Sequence, residues 1–494
     1  MMGLFGVFIA LGLLMYLAYR GVSILILGPV MALVAVIFAG GVPVLATYTQ
    51  IFMPAAGQFI VLYFPLFLLG AIFGKLMDDS GAALSIARGI VGKLGAERAI
   101  LAVVIACALL TYGGVSLFVV AFAIYPIAAA LFREAQIPKR LIPATIALGA
   151  FTFTMTALPG TPAIQNAIPM PFFGTTPFAA PGLGIIAALI MFGLGQAWLE
   201  RQARKAKRVN EGYGDHPDAQ SPSTKDMRNF SQSEGFDVIE IETKTEAEAK
   251  TKAADDEDLK NAVSFGMAVA PIIIVISMNY LLSTNVFPAM DTAYLQEPQY
   301  GATTIESVRG VWAIICSLTM ASLFLIATNF RRLKTLRKTL DGGANAAVLP
   351  IFNTASLVGF GAVIAALPAF LLIQGAVDTI GGGPLVSLAV SVNILAGVTG
   401  SASGGMSIAL QTLGDQYLAM AEAANMSPEL LHRITTIATG GLDSLPHNGA
   451  VVTLLSICGL THRQAYKDMF FVAVLFPIFA LITVVTLGNL YGAF

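Results

Sequence analysis

Apolar runs of about 20 residues, each long enough to cross a bilayer as a helix, recur from one end of this chain to the other. In lipid every backbone N–H and C=O must find an internal partner, so such a chain can become only a helical bundle or a closed barrel. Composition decides between them. The 494 residues are 56% hydrophobic and 12% charged, with a mean hydropathy of +0.78. Barrel strands alternate apolar and polar residues and cannot average so high, and soluble chains carry about 25% charged residues. The chain is therefore expected to be an all-α polytopic membrane protein. Its net charge of −1 gives no reason to expect a nucleic-acid partner. Cys107, Cys316 and Cys458 all fall in apolar runs, an odd and scattered set that reads as packing residues rather than disulfides or metal ligands.

The runs divide into two similar halves. In the first, residues 1–199, spans are expected at Gly3–Ala18, Val22–Ala39 and Gly57–Leu76, then an amphipathic stretch Met77–Gly95, a long block Arg98–Phe132, and spans Leu141–Ile168 and Phe178–Leu199. No basic n-region precedes Met1–Tyr19, which reads as a first span and not a cleaved signal. Residues 200–260 break the pattern: basic at Arg201–Arg208, acidic at Asp255–Asp258, and too polar to bury a core. They read as a cytoplasmic, disordered linker. The second half, residues 261–494, offers spans Ala262–Leu282, Gly310–Asn329 and Ala347–Gln374, a block Pro384–Met420, and spans Leu430–Ile457 and Met469–Leu490.

Charge bias orients these pieces, since Lys and Arg favour the cytoplasmic side. Arg201–Arg208, Arg331–Lys338 and Arg463/Lys467 are then inside, and the acidic segment Asp291–Glu306 is outside. The block Arg98–Phe132 has basic residues at both ends and 35 residues. As one straight helix it would reach ~50 Å, against a hydrocarbon core of ~30 Å. A re-entrant hairpin turning at Thr111–Ser116 resolves both conflicts. Pro384–Met420, turning at Gly397–Gly405 with acidic neighbours, reads as a second hairpin entering from outside. Forty-six residues separate Gly113 from Pro159, and the same number separates Gly400 from Pro446. The expected plan is two inverted-topology repeats, each with three spans, a re-entrant hairpin (98–132 and 384–420), a broken span (141–168 and 430–457) and a final span. Both termini then lie outside. Inverted repeats with discontinuous helices at the midplane mark secondary transporters.

Four segments interrupt helix within the membrane: Thr111–Ser116, Leu158–Pro162, Val398–Gly405 and Gly440–Gly449. Backbone freed there must meet protein or line a wet cavity, and the new helix N-termini and hydroxyls suit a carboxylate. Candidate substrate-binding residues are Thr111, Gly113, Gly114, Ser116, Thr161, Gln165, Asn166, Thr399, Gly400, Ser401, Ser403 and Asn448. The plainer alternatives are glycines that only allow close packing and amides that only satisfy broken backbone. Asp443 and His447 are the ionisable residues found in a break, which makes them the candidate proton-coupling pair, or else a brace for the break. Ser444 beside them does not make a hydrolase triad, because three neighbours in one turn rarely reach that geometry. Few fixed positive charges are evident in the spans, so an anion is expected to be held by helix dipoles and amides and not by an arginine clamp. No Gly-x-x-x-x-Gly-Lys-[Ser/Thr] loop occurs, so direct ATP drive is not expected.

The segment Gly74-Lys75-Leu76-Met77-Asp78-Asp79-Ser80-Gly81-Ala82-Ala83 resembles a characteristic stretch of the gluconate permease (GntP) family, within the ion transporter superfamily. The resemblance extends over most of the membrane region. It implies uptake, with protons, of small hydroxylated monocarboxylates such as gluconate or 3-hydroxybutyrate across a bacterial inner membrane, with no cofactor or metal. The partners would be the anion, the proton and the bilayer, with a homodimer left open. A sodium-coupled carrier, an anion channel and an intramembrane enzyme are the rival readings.

Overall fold

The computed structural model describes residues 2–20, 22–214, 263–333, 335–372, 375, 381–446 and 448–494. Among these, every regular element is helical. Six helices are long and apolar enough to cross a membrane: Val44–Asp79, Pro181–Arg208, Phe265–Ala289, Ile305–Asn329, Leu336–Ala366 and His462–Tyr491. A seventh span is completed if Ala82–Leu94 and Ala96–Tyr112, bent by 102°, count as one. Shorter apolar helices cover Met2–Ala18, Ile24–Ala39 and Gly383–Thr399.

Two long helices form the spine. Leu336–Ala366 lies along Val44–Asp79 in the most extensive helix contact among the described residues. Gly343 makes this possible, because a Cβ there would come within 2.7 Å of the Ile72 Cα. Small residues draw membrane helices together in this way when apolar burial gives no advantage over lipid. Ile24–Ala39 joins the spine through Gly28, which faces Ser356, and the Ser356 hydroxyl donates to the Ile24 carbonyl at 3.2 Å.

The segment Gly74–Ala83 turns out to end one helix and begin another. Lys75 pairs with Asp79 at 3.2 Å, and the Thr339 hydroxyl of the second half donates to Asp79 at 2.7 Å. Gly81 turns the chain at φ +75°, a conformation that side-chain-bearing residues resist.

Helix stops where the sequence turns were expected. The first hairpin has arms Ala99–Tyr112 and Leu117–Glu134, with Gly114 at φ +93° between them. The second has arms Gly383–Thr399 and Ala402–Ala423, joined at Gly400, φ +62°. Gly405 lies against the backbone of Ala396, leaving no room for a side chain between the arms. The first broken segment runs as Ile142–Ala150, Phe153–Thr156, Ile164–Ala167 and Pro169–Phe173, and the second as Pro428–Thr439, Leu442–Ser444 and Gly449–Ile457.

The stretch after the first half is ordered further than its polarity suggested. The helix expected to end at Leu199 continues to Arg208. Beyond it, Glu211 pairs with Arg140 at 2.7 Å, and the Tyr213 carbonyl accepts the Lys139 N–H at 3.1 Å. Arg140 also pairs with Asp468 at 2.7 Å, and Trp198 donates to the same carboxylate at 3.0 Å. This cluster ties the end of the first half to the last span of the second. The rest of the expected linker, from residue 215 to 260, lies outside the described residues. The three cysteines are free thiols.

Candidate functional site

Each hairpin tip touches the break of its own half. In the first half the Tyr112 hydroxyl donates to the Pro159 carbonyl at 2.6 Å, and a Cβ on Gly114 would meet Pro162 at 2.9 Å. In the second, the Asn448 amide donates to the Gly400 carbonyl at 2.7 Å. The Asn393 side chain accepts the Leu442 N–H at 3.2 Å. The breaks also meet each other: a Cβ on Gly440 would lie 2.9 Å from the Thr156 hydroxyl. Helix Ile164–Ala167 packs on the second arm of the second hairpin, Ala402–Ala423. Elements expected on opposite sides of the sequence therefore share one polar, buried zone.

Local side-chain bonds make the breaks. Thr161 accepts the Ala163 N–H, and Asn448 accepts the Ala450 N–H, each two residues ahead. Asn448 also accepts from Val451, so it is a full N-cap for Gly449–Ile457. In the second hairpin Ser401 caps Ala402–Ala423 by accepting the Gly404 N–H, and Ser403 lies 3.4 Å from the Ser401 hydroxyl. The Thr399 hydroxyl donates to backbone carbonyls of its own turn, that of Leu395 at 2.8 Å.

Of the expected binding residues, several are thus occupied with holding the fold. Gly113 packs against Ile272, Gly114 and Gly400 supply the turns, and Ser116 is half-buried beside Gly74. Asn166 is fully engaged. Its amide donates to the carbonyls of Thr161 at 3.0 Å and Pro177 at 2.9 Å, while its oxygen receives His432 at 3.1 Å and Arg433 at 3.4 Å. Other groups keep free capacity. Gln165 is 6% exposed, and its side chain makes no hydrogen bond among the described residues. The hydroxyls of Thr111, Ser407 and Thr435 are buried without a partner. Asp443 is 9% exposed and accepts the Ser444 hydroxyl at 3.2 Å. Tyr466 and His462 hold that break from outside, donating to the carbonyls of Ser444 at 3.0 Å and Pro446 at 2.8 Å. His447, and with it the expected Asp443–His447 pairing, lies outside the described residues.

The few fixed positive charges expected in the spans include one that is deeply placed. Arg433, on Pro428–Thr439, is fully buried. Its Nε donates to Ala179 at 2.9 Å, its Nη1 to Ala157 at 3.2 Å and to Asn166, and its Nη2 to Pro177 at 3.3 Å and Ala179 at 2.7 Å. All five N–H donors are used, across the half boundary. Next to it His432 is also fully buried, with Thr175 2.6 Å from Nδ1. Because the Asn166 amide nitrogen is committed to two carbonyls, its oxygen must face Nε2. His432 therefore carries its proton on Nε2, and Thr175 donates to Nδ1. The signal was present in the sequence: two adjacent basic residues inside the apolar run from Leu430 are costly unless they face the bundle interior.

A profile described as GntP family permease matches residues 2–233. The chain is 42% identical over 491 residues to a Bacillus subtilis (strain 168) protein named uncharacterized transporter YxjC, covering 98% of this chain and 99% of that one. Its fold is similar to the crystal structure of the Alcanivorax borkumensis YdaH transporter, with a TM-score of 0.51 at 15% identity, covering 89% of this chain and 87% of that chain. Helix breaks that meet across the two halves, in a membrane bundle with this relationship, place the chain in the GntP permease family of transporters.

Proposed function

We propose that this permease is a proton-coupled symporter for a small hydroxylated organic acid anion, of the gluconate or 3-hydroxybutyrate kind, in a bacterial inner membrane. The observation that carries the reading is a set of buried polar groups left without a partner in the hairpins and broken segments: Gln165 and the hydroxyls of Thr111, Ser407 and Thr435. Buried polar atoms are normally satisfied, and those that are not need a reason. A polyhydroxylated solute supplies the missing partners. Its carboxylate and hydroxyls would be met by the Gln165 amide and by these side-chain hydroxyls. Inverted repeats, with hairpins reaching the same depth from opposite faces, would let this one site open to either side.

Asp443 is the proposed carrier of the coupling proton, being the buried carboxylate at the second break. The test is counterflow and pH-driven uptake in proteoliposomes, with labelled gluconate and 3-hydroxybutyrate as probes. Asp443→Asn should abolish accumulation driven by a pH gradient while sparing exchange at equal pH. Accumulation by the variant under pH drive alone would remove Asp443 from the coupling step. Accumulation that requires a sodium gradient would assign the drive to sodium instead.

A further inference from the structure

Arg433 presents an unusual charge balance. Its five donors all end on neutral oxygens, four on backbone carbonyls and one on the Asn166 amide. Among the described residues no carboxylate lies within ion-pair distance of it, although it is fully buried. Burying a charge without a counter-charge is costly, and proteins ordinarily pair it. Hydrogen bonds satisfy the guanidinium's geometry here but leave its full positive charge in place. The carboxylate one turn away on the same helix, Glu429, is exposed and accepts the Ala180 N–H at 3.4 Å. The Asn166 that Arg433 touches is next in sequence to Gln165, whose side chain makes no hydrogen bond among the described residues.

We propose that Arg433 is the charge-selecting residue of this carrier: a fixed cation, held off from the substrate by its own saturated hydrogen bonds, whose field favours the anionic solute over the neutral one. This rests on the organic-anion reading above. It differs from a clamp, since no donor is left to touch the carboxylate. It differs also from a pure strut, since charge and not hydrogen-bond count is what matters. In a low-dielectric surrounding the effect is substantial: a unit charge about 10 Å from another, at an effective dielectric of ~20, changes binding by roughly tenfold.

The test uses the full chain in proteoliposomes at fixed pH, measuring the KM for exchange of labelled gluconate and 3-hydroxybutyrate. Arg433→Gln removes the charge and should raise KM by roughly tenfold or more. Arg433→Lys keeps the charge but cannot reach all four acceptor oxygens. It should retain an anion KM close to wild type even where its melting temperature falls. Equal loss in Lys and Gln variants would overturn the proposal and leave Arg433 a strut. Glu429→Gln guards against misfolding of the buried variants, because it removes an exposed opposing charge on the same helix face. It should lower KM, about twofold, at a screening length set by salt; an unchanged KM would overturn the field argument. Absence of exchange by wild type with every carboxylate probe would refute the organic-anion reading itself, and this proposal with it.

Discussion

The two breaks are built around asparagines, yet Asn166 and Asn448 do different work. Asn448 serves its own strand of chain: it caps the helix that follows and holds the tip of its own hairpin. Asn166 serves the other half. It gathers two carbonyls of the first break and presents its oxygen to His432 and Arg433, which come from more than 260 residues later. The second break is therefore self-supporting, and the first is held by the second. An amide at a helix break can satisfy local backbone or knit distant segments, and only the packing decides which.

This contrast orders the expected effects of removing each side chain, read as thermal unfolding of the purified protein. Asn166→Ala should be the most destabilising. It leaves buried donors and acceptors on both sides of the half boundary unpaired, at about 1–3 kcal/mol for each orphaned group. Asn448→Ala should cost less, about 0.5–2 kcal/mol for a lost N-cap, plus its single bond to Gly400. Thr161→Val should cost least, roughly 0.5–1.5 kcal/mol for one hydrogen bond to Ala163. If Asn448→Ala proved more damaging than Asn166→Ala, the idea that the first break depends on the second would fail. Were the pairs Asn166→Ala and Arg433→Gln additive in a double-mutant cycle, their contact would carry no coupling energy.

Much of this architecture was legible from residue pattern. Length alone ruled out a straight helix at Arg98–Phe132, and the glycines at 114 and 400 marked where the hairpins turn. The polar residues of the breaks were legible too, because Thr, Ser and Asn compete with helix for backbone partners. Their roles were not. Thr161, Ser401 and Asn448 are spent on backbone two or three residues away, whereas Gln165, adjacent to the saturated Asn166, is left without a partner. The first outcome is local, whereas that of Gln165 depends on which distant groups pack alongside it, and sequence spacing does not say which. Arg433 is legible as a basic residue inside an apolar run, but its partners are not: its neutral acceptors, Ala157, Pro177 and Ala179, leave no charge pattern to read.

Those acceptors also impose an order in time. The Ala179 carbonyl precedes its guanidinium partner by 254 residues. A ribosome adding about 5–20 residues per second releases the second long after the first, by roughly 13 to 50 s. Throughout that interval the nascent first half holds a loop whose carbonyls have no arginine to turn toward. Its break must be sheltered by water, by the insertion machinery or by provisional bonds until residue 433 arrives. Closure of the first half is thus a late event in the birth of the molecule, timed by a residue of the second.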